Sequence, residues 1–170
     1  MLSFCVRILV EFWLGLTPWW QDRLEPLEAR TALYQPVAEV ICASSENQLE
    51  RAMLGTQAYF EGSRLGRYVL EDRCKDGPRS ARCDNGLATG PWQVHGWCRD
   101  AWIRPFNPEN RTTRWKAGAA CTLLGARAGR RACGGLRGMF AYQQGPSCAG
   151  NWTARVSMAA RLWVNLQKEP

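Results

Sequence analysis

Ala58-Tyr59-Phe60-Glu61-Gly62-Ser63-Arg64 is the stretch whose reading decides the fold. A carboxylate stands directly behind two aromatic residues and directly before a glycine. The residues upstream mark the place as a helix end. Leu49, Ala52, Met53, Thr56 and Phe60 recur at helical period, which predicts a helix buried along one face. Ser45 and Gln48 have the spacing of a capping box, so the helix is expected to begin at Ser45. Gly62 is its expected C-terminal stop. A carboxylate at a helix C-terminus faces the negative end of the helix dipole, which disfavours its charged form. Tyr59, Phe60 and the more distant Trp92 would desolvate it and act in the same direction. Those conditions keep a carboxylic acid protonated near neutral pH, ready to donate to a leaving oxygen. The plain alternative for Glu61 is a solvated surface glutamate.

Working outward toward the N-terminus, residues 1–16 are mostly apolar. Arg7 and Glu11 interrupt the run, and neither a positive n-region nor a small-residue cleavage site flanks it. A degenerate signal, a badly chosen start and a buried first segment are all open readings. The same charges argue against a membrane span. Thr17-Pro18 reads as a helix start. Pro26 and Pro36 are expected to cut the next stretch into short helices, with Val37, Val40 and Ile41 on one apolar face.

Toward the C-terminus, helical period is lost from Arg64 to Asp100. Arg67-Tyr68-Val69-Leu70 reads as a short extended piece, and Lys75-Asp76-Gly77-Pro78 and Asp84-Asn85-Gly86 are turn signals. An irregular lobe with two or three short strands is expected there. Thr113 to Ala128 is alanine-rich and helical in pattern. Gly134-Gly135 opens a short helix carrying Met139, Phe140 and Tyr142, which Gly145-Pro146 ends. Trp152, Val156, Ala159, Ala160 and Trp163 mark one face of a final helix. The fold class is therefore mainly α (α+β). Residues 17–170 are expected to form a single helical domain with a small irregular or β lobe, and residues 1–16 are a degenerate signal or an N-terminal segment.

Composition narrows the function. Eight cysteines without a C-x-x-C pair, and a single histidine (His95), argue for disulfides and against a structural zinc site. Cys74 and Cys83 are spaced to close a short loop, Cys5 and Cys42 stand apart, and the remaining connectivity is open. Disulfides point to export, periplasmic or extracellular. The formal net charge of +7 favours a polyanionic partner. The arginines are scattered apart from Arg127 to Arg131, and no nucleic-acid motif is present. Nine tryptophans suit a core first, and a sugar cleft for the remainder. No phosphate-binding glycine loop occurs. The lone His95 has two readings, at the edge of a cleft beside Gln93 or, more commonly for such a residue, structural. A disulfide-rich setting argues against a reactive thiol at Cys98, and no metal or cofactor is expected.

Three blocks occur in a fixed order: Glu61-Gly62-Ser63, Gly90-Pro91-Trp92-Gln93 and Ala141-Tyr142-Gln143-Gln144-Gly145. Together, across roughly Ser45 to Leu162, they resemble the soluble lytic transglycosylase and goose-type lysozyme group of the lysozyme-like superfamily. That resemblance implies a lysozyme-like fold with the lobe flanking a cleft, and cleavage of the β-1,4 bond between N-acetylmuramic acid and N-acetylglucosamine in peptidoglycan. It implies that Glu61 is the catalytic acid and that Ser63, Trp92, Gln93 and Tyr142 bind substrate. The chain departs from the pattern at Gly62, where the group has serine and where Ser63 lies one step later. Pro91-Trp92 replaces Leu-Met, and Gln143 replaces asparagine.

A second carboxylate would decide the mechanism, because an inverting hydrolase holds its base about 6.5–9.5 Å from the acid. Glu71, Asp72, Asp76 and Asp84 are candidates, and Asp84 is preferred because it precedes the segment expected to line the cleft. Without such a base, the resemblance implies a one-glutamate route to a 1,6-anhydro product. Partners are then peptidoglycan or a related polysaccharide, with no nucleic acid, no stable membrane insertion and a monomeric chain. The rivals are a chitinase-like glycosidase and a non-catalytic wall-binding module of the same fold.

Overall fold

A computed structural model describes residues 3–16, 26–62, 64–65, 67–70, 90–94, 98, 110–141 and 148–168. In order, the helices are α1 (Phe4–Leu14), α2 (Leu27–Ser44), α3 (Gln48–Glu61), α4 (Arg67–Leu70), α5 (Arg111–Cys133), α6 (Gly135–Ala141) and α7 (Thr153–Leu166). The protein is mainly helical, and no β-strand is present among the described residues. Most of the expected lobe, the Cys74–Cys83 loop and the Thr17-Pro18 start lie outside the described residues.

Helix α3 is the centre of the packing. It meets α7 most extensively and also touches α2 and α5. Every residue from Ala52 to Ala58 is buried, so the helix is enclosed on all sides rather than along the single face its periodicity predicts. Gly55 makes the enclosure possible. A methyl group there would lie 2.9 Å from a Leu9 methyl of α1 and 2.9 Å from a Leu162 methyl of α7. Two helices thus close on α3 at a position where any side chain would hold them apart.

Several expectations near α3 are corrected. Its N-cap is Asn47, two residues after Ser45, with the Asn47 side chain accepting from the amides of Leu49 and Glu50 at 2.9 and 3.2 Å. Ser45 does other work: its hydroxyl donates to Glu50 Oε2 at 2.6 Å. Pro36 does not cut α2, which runs unbroken across it from Leu27 to Ser44. Burial of Tyr34, Val37, Ala38, Val40 and Ile41 offsets the backbone hydrogen bond that proline removes. Arg67–Leu70 is helical, not extended. Four residues are too few for period 2 to be told from period 3.6, and the buried Val69-Leu70 pair is set by packing of α4 on α2.

The long helix after residue 110 and the short one after Gly134 occur as expected, α5 extending to Cys133. Helix α6 lies so close to α5 that a methyl on Gly138 would come 2.6 Å from the Gly129 carbonyl oxygen. The buried face of α7 is carried by Ala159, Leu162 and Leu166, with Trp152 buried at its N-cap.

Helix α1 belongs to the core. Cys5, Val6, Leu9, Val10 and Trp13 are buried in it, and the Trp13 ring meets Tyr34 of α2 edge-on at 6.0 Å. Cys5 is joined to Cys42, Cys98 to Cys121 and Cys133 to Cys148. The two cysteines that stand apart in the sequence are therefore partners. By loop-closure entropy a cross-link over 37 residues is among the more stabilising kinds. These three disulfides among the described residues fit an oxidising compartment. Among the described residues no helix is long and apolar enough to cross a membrane.

A partly buried ion pair joins α3 to α5. Arg127 Nε donates to Glu50 Oε1 at 2.7 Å and its Nη2 to Oε2 at 2.8 Å. The Glu50 carboxyl is held below the usual carboxylate range, chiefly by this hydrogen-bonded guanidinium and secondarily by Ser45, against the opposing effect of burial. A carboxyl lowered in the folded state stabilises the fold above its unfolded value, about 4.3, and that stability is lost as pH falls through the lowered folded value. Glu50→Gln should cost about 1–2 kcal/mol at pH 7, since one partner is half exposed. Thermal melts at pH 7 and pH 3 should show a larger acid loss for the native chain than for the variant. An equal loss would remove Glu50 from the acid sensitivity.

Candidate active site

Helix α3 ends on Glu61, as its sequence predicts, and Gly62 caps it. The reason for a glycine differs from the expected one. Gly62 has φ −75°, an ordinary right-handed value, so no left-handed stop is formed there. What requires glycine is proximity. A Cβ at this position would meet the Ala58 carbonyl oxygen in a severe clash and would lie 3.0 Å from the Pro91 carbonyl oxygen. The left-handed residues follow instead, at Arg64 (φ 59°) and Leu65 (φ 56°), with the Arg64 amide donating to the Tyr59 carbonyl at 2.7 Å.

The contact with Pro91 brings two distant blocks of sequence together. Gly90-Pro91-Trp92-Gln93 is a tight turn in which the Gln93 amide donates to the Gly90 carbonyl at 3.0 Å. Proline at its second position supplies the φ such a turn needs. The Trp92 indole N–H donates to the Leu54 carbonyl of α3 at 3.1 Å, pinning the turn along the helix that carries Glu61. Trp92 is 3 % exposed. It is a core residue, and in the free protein its ring offers no open face to a sugar. Gln93 is partly buried in a left-handed conformation (φ 45°), and its side-chain amide donates back to the Gly90 carbonyl at 2.8 Å. Ser63, Asp84 and Tyr142 lie outside the described residues; Tyr142 directly follows the buried C-terminal residue of α6, Ala141.

Around Glu61 the structure assembles a polar group that the sequence reading did not single out. Arg155 of α7 donates through Nη1 to Glu61 Oε1 at 2.5 Å and to Gln57 Oε1 at 3.0 Å. Gln57, one turn before Glu61, donates through Nε2 to the same Glu61 oxygen at 3.2 Å. Glu61 is thus held through Oε1 by two donors, while Oε2 has no partner among the described residues. The guanidinium carbon of Arg155 lies 5.1 Å from the Phe60 ring centroid and 5.4 Å from that of Trp152, so two aromatic rings bound the cation. Phe60 in turn meets Tyr59 edge-on at 5.6 Å. Burial pushes the Tyr59 phenol above its usual value, with the Arg64 charge opposing. The side chains of Glu61 and Arg155 are 32 % and 18 % exposed, a half-open pair rather than a sealed one.

Arg155 did leave a signal. It is one charged residue on the apolar face of α7, in step with Trp152, Val156 and Ala159 at helical spacing. A cation at such a register calls for an anionic partner, and among the described residues the carboxylate at the end of the central helix is Glu61. Gln57 left a weaker signal, a polar residue on the helix one turn before Glu61; the structure buries it to 1 % exposure.

No protein-family model, no curated protein and no solved structure matches the chain. The coarse class stands on the structure alone: a mainly helical, disulfide-bonded domain. Among the described residues no group of histidine, cysteine or carboxylate side chains is arranged to hold a metal ion.

Gly62→Ser, the residue of the lysozyme-like pattern, should destabilise the domain by about 1–3 kcal/mol, because the atoms it meets are backbone rather than flexible side chains. Chemical denaturation reads this directly. A neutral substitution would mean that the turn at Pro91 yields without cost.

Proposed function

We propose that the protein is an exported peptidoglycan-cleaving muramidase with a lysozyme-like arrangement, and that Glu61 is its general acid. The observation that supports this most is the meeting of two sequence blocks. The end of the central helix, carrying Glu61, abuts the Gly90-Pro91-Trp92-Gln93 turn through Gly62. The chain between them is long and irregular in pattern, so their contact is not a trivial consequence of sequence proximity. The positive net charge suits a polymer that bears carboxylates.

In this mechanism Oε1 of Glu61 is anchored by Gln57 and Arg155, which orient the carboxyl. Oε2 then carries the proton that passes to the bridging glycosidic oxygen as the C1–O bond breaks. With no second carboxylate in reach, the same Glu61, now ionised, takes the proton of the muramoyl C6 hydroxyl. That oxygen closes on C1 and gives a 1,6-anhydro sugar. With Asp84 or another carboxylate in reach, water replaces the hydroxyl and a reducing end results.

The ion pair favours a second reading, a non-catalytic wall-binding module in which Glu61 simply ties α3 to α7. Clearing of a peptidoglycan suspension separates the two. The native protein should clear it, and Glu61→Gln should reduce the rate by about 10²–10⁴-fold while still binding the polymer. Equal clearing by the variant would sink the assignment of Glu61. Mass spectrometry of the products then reads the route, anhydro-muropeptides for transglycosylation and reducing ends for hydrolysis.

A further inference from the structure

The Glu61 pairing uses one nitrogen of Arg155. Nη1 serves both Glu61 and Gln57, whereas Nε and Nη2 have no hydrogen-bond partner among the described residues. Those two nitrogens form one edge of the guanidinium, two parallel donors at the spacing of a carboxylate's oxygens. The side chain is 18 % exposed, and neither nitrogen is fully buried among the described residues. Phe60 and Trp152 flank the cation, which limits the motion of the edge and lowers the entropy lost when it is engaged.

We propose that Arg155 is the specificity-determining residue of the site, and that its free Nε–Nη2 edge takes a carboxylate carried by the polymer while Nη1 keeps Glu61 in place. The proposal rests on the reading of Glu61 as the acid at a glycan-cleaving site and names the feature of the substrate that is recognised. One planar cation then bridges the catalytic carboxyl and the substrate's carboxylate, so the acid is registered against a muramoyl residue and not against a plain N-acetylglucosamine residue. A lysine could not do this, because a single ammonium lacks a fixed pair of parallel donors. Trp152 also lines an open concavity of ≈ 540 Å³ together with Val156, Ser157 and a second cation, Arg137. Arg137 spends Nη2 on the Gly150 carbonyl at 3.2 Å and is otherwise exposed to that space.

The test measures binding on Glu61→Gln, which slows turnover by orders of magnitude yet leaves Arg155 an acceptor. Calorimetry compares a muramoyl-containing tetrasaccharide with the chitin tetrasaccharide of the same length. The muramoyl ligand should bind about tenfold or more tightly. That preference should vanish when its carboxylates are amidated, and should vanish in both Arg155→Gln and Arg155→Lys on the same background. Peptide-free and peptide-bearing versions of the ligand tell a lactyl carboxylate from a stem-peptide one. Equal affinity for the two unmodified ligands overturns the role of Arg155 and leaves the glycan site intact. So does a preference that survives amidation, which is decisive even if an Arg155 variant fails to fold. Failure to bind either tetrasaccharide overturns the glycan site itself, and the proposal with it.

Discussion

The enclosure of α3 is the constraint on which the rest of the structure depends. A helix buried from Ala52 to Ala58 on every side must be met by neighbours all round, and α1, α2, α5 and α7 supply them. Gly55 sets how near α1 and α7 can come. Once those helices are in place, the α3 C-terminus is the natural position for a polar group, because it is where the enclosed helix first reaches partial solvent. Glu61 is the residue found there, and α7 is near enough to deliver Arg155 to it.

The same packing explains why the site is a network and not an isolated acid. Read along the chain, Glu61 stands at a helix end directly behind Tyr59 and Phe60. In the folded chain a guanidinium from another helix and an amide one turn back meet it first. The aromatic residues do a different job, with Phe60 packing on the cation that holds the acid. Gln57, Glu61 and Arg155 hence behave as one hydrogen-bonded unit, and the chemistry of any one depends on the others.

Much of the helical layout is legible in the chain, for local reasons. The period of α3 and its end at Glu61 follow from residue spacing, and so do the long helix after residue 110, the break at Gly134-Gly135 and the final helix. The misreadings all arise where tertiary burial overrides local preference. Pro36 was expected to end a helix that burial of Val37, Val40 and Ile41 carries through. Ser45 was expected to cap α3, but Glu50, held by Arg127, draws the serine hydroxyl away, and Asn47 caps instead. Trp92 was expected at a sugar-facing surface, and its indole N–H is spent on the carbonyl of Leu54 in the core.

By itself the sequence determined that a glutamate and a glycine stand at the end of a buried central helix, because helical period and a stop residue are properties of neighbours along the chain. It also determined that the chain is rich in cysteines suited to an oxidising compartment. Only the tertiary structure decided which cysteines pair, that Gly62 is there to admit the Pro91 backbone, and that Arg155 is the partner of Glu61. These contacts join residues from 15 to 94 positions apart. Their distances are set by how helices close on α3, and no local rule contains that information.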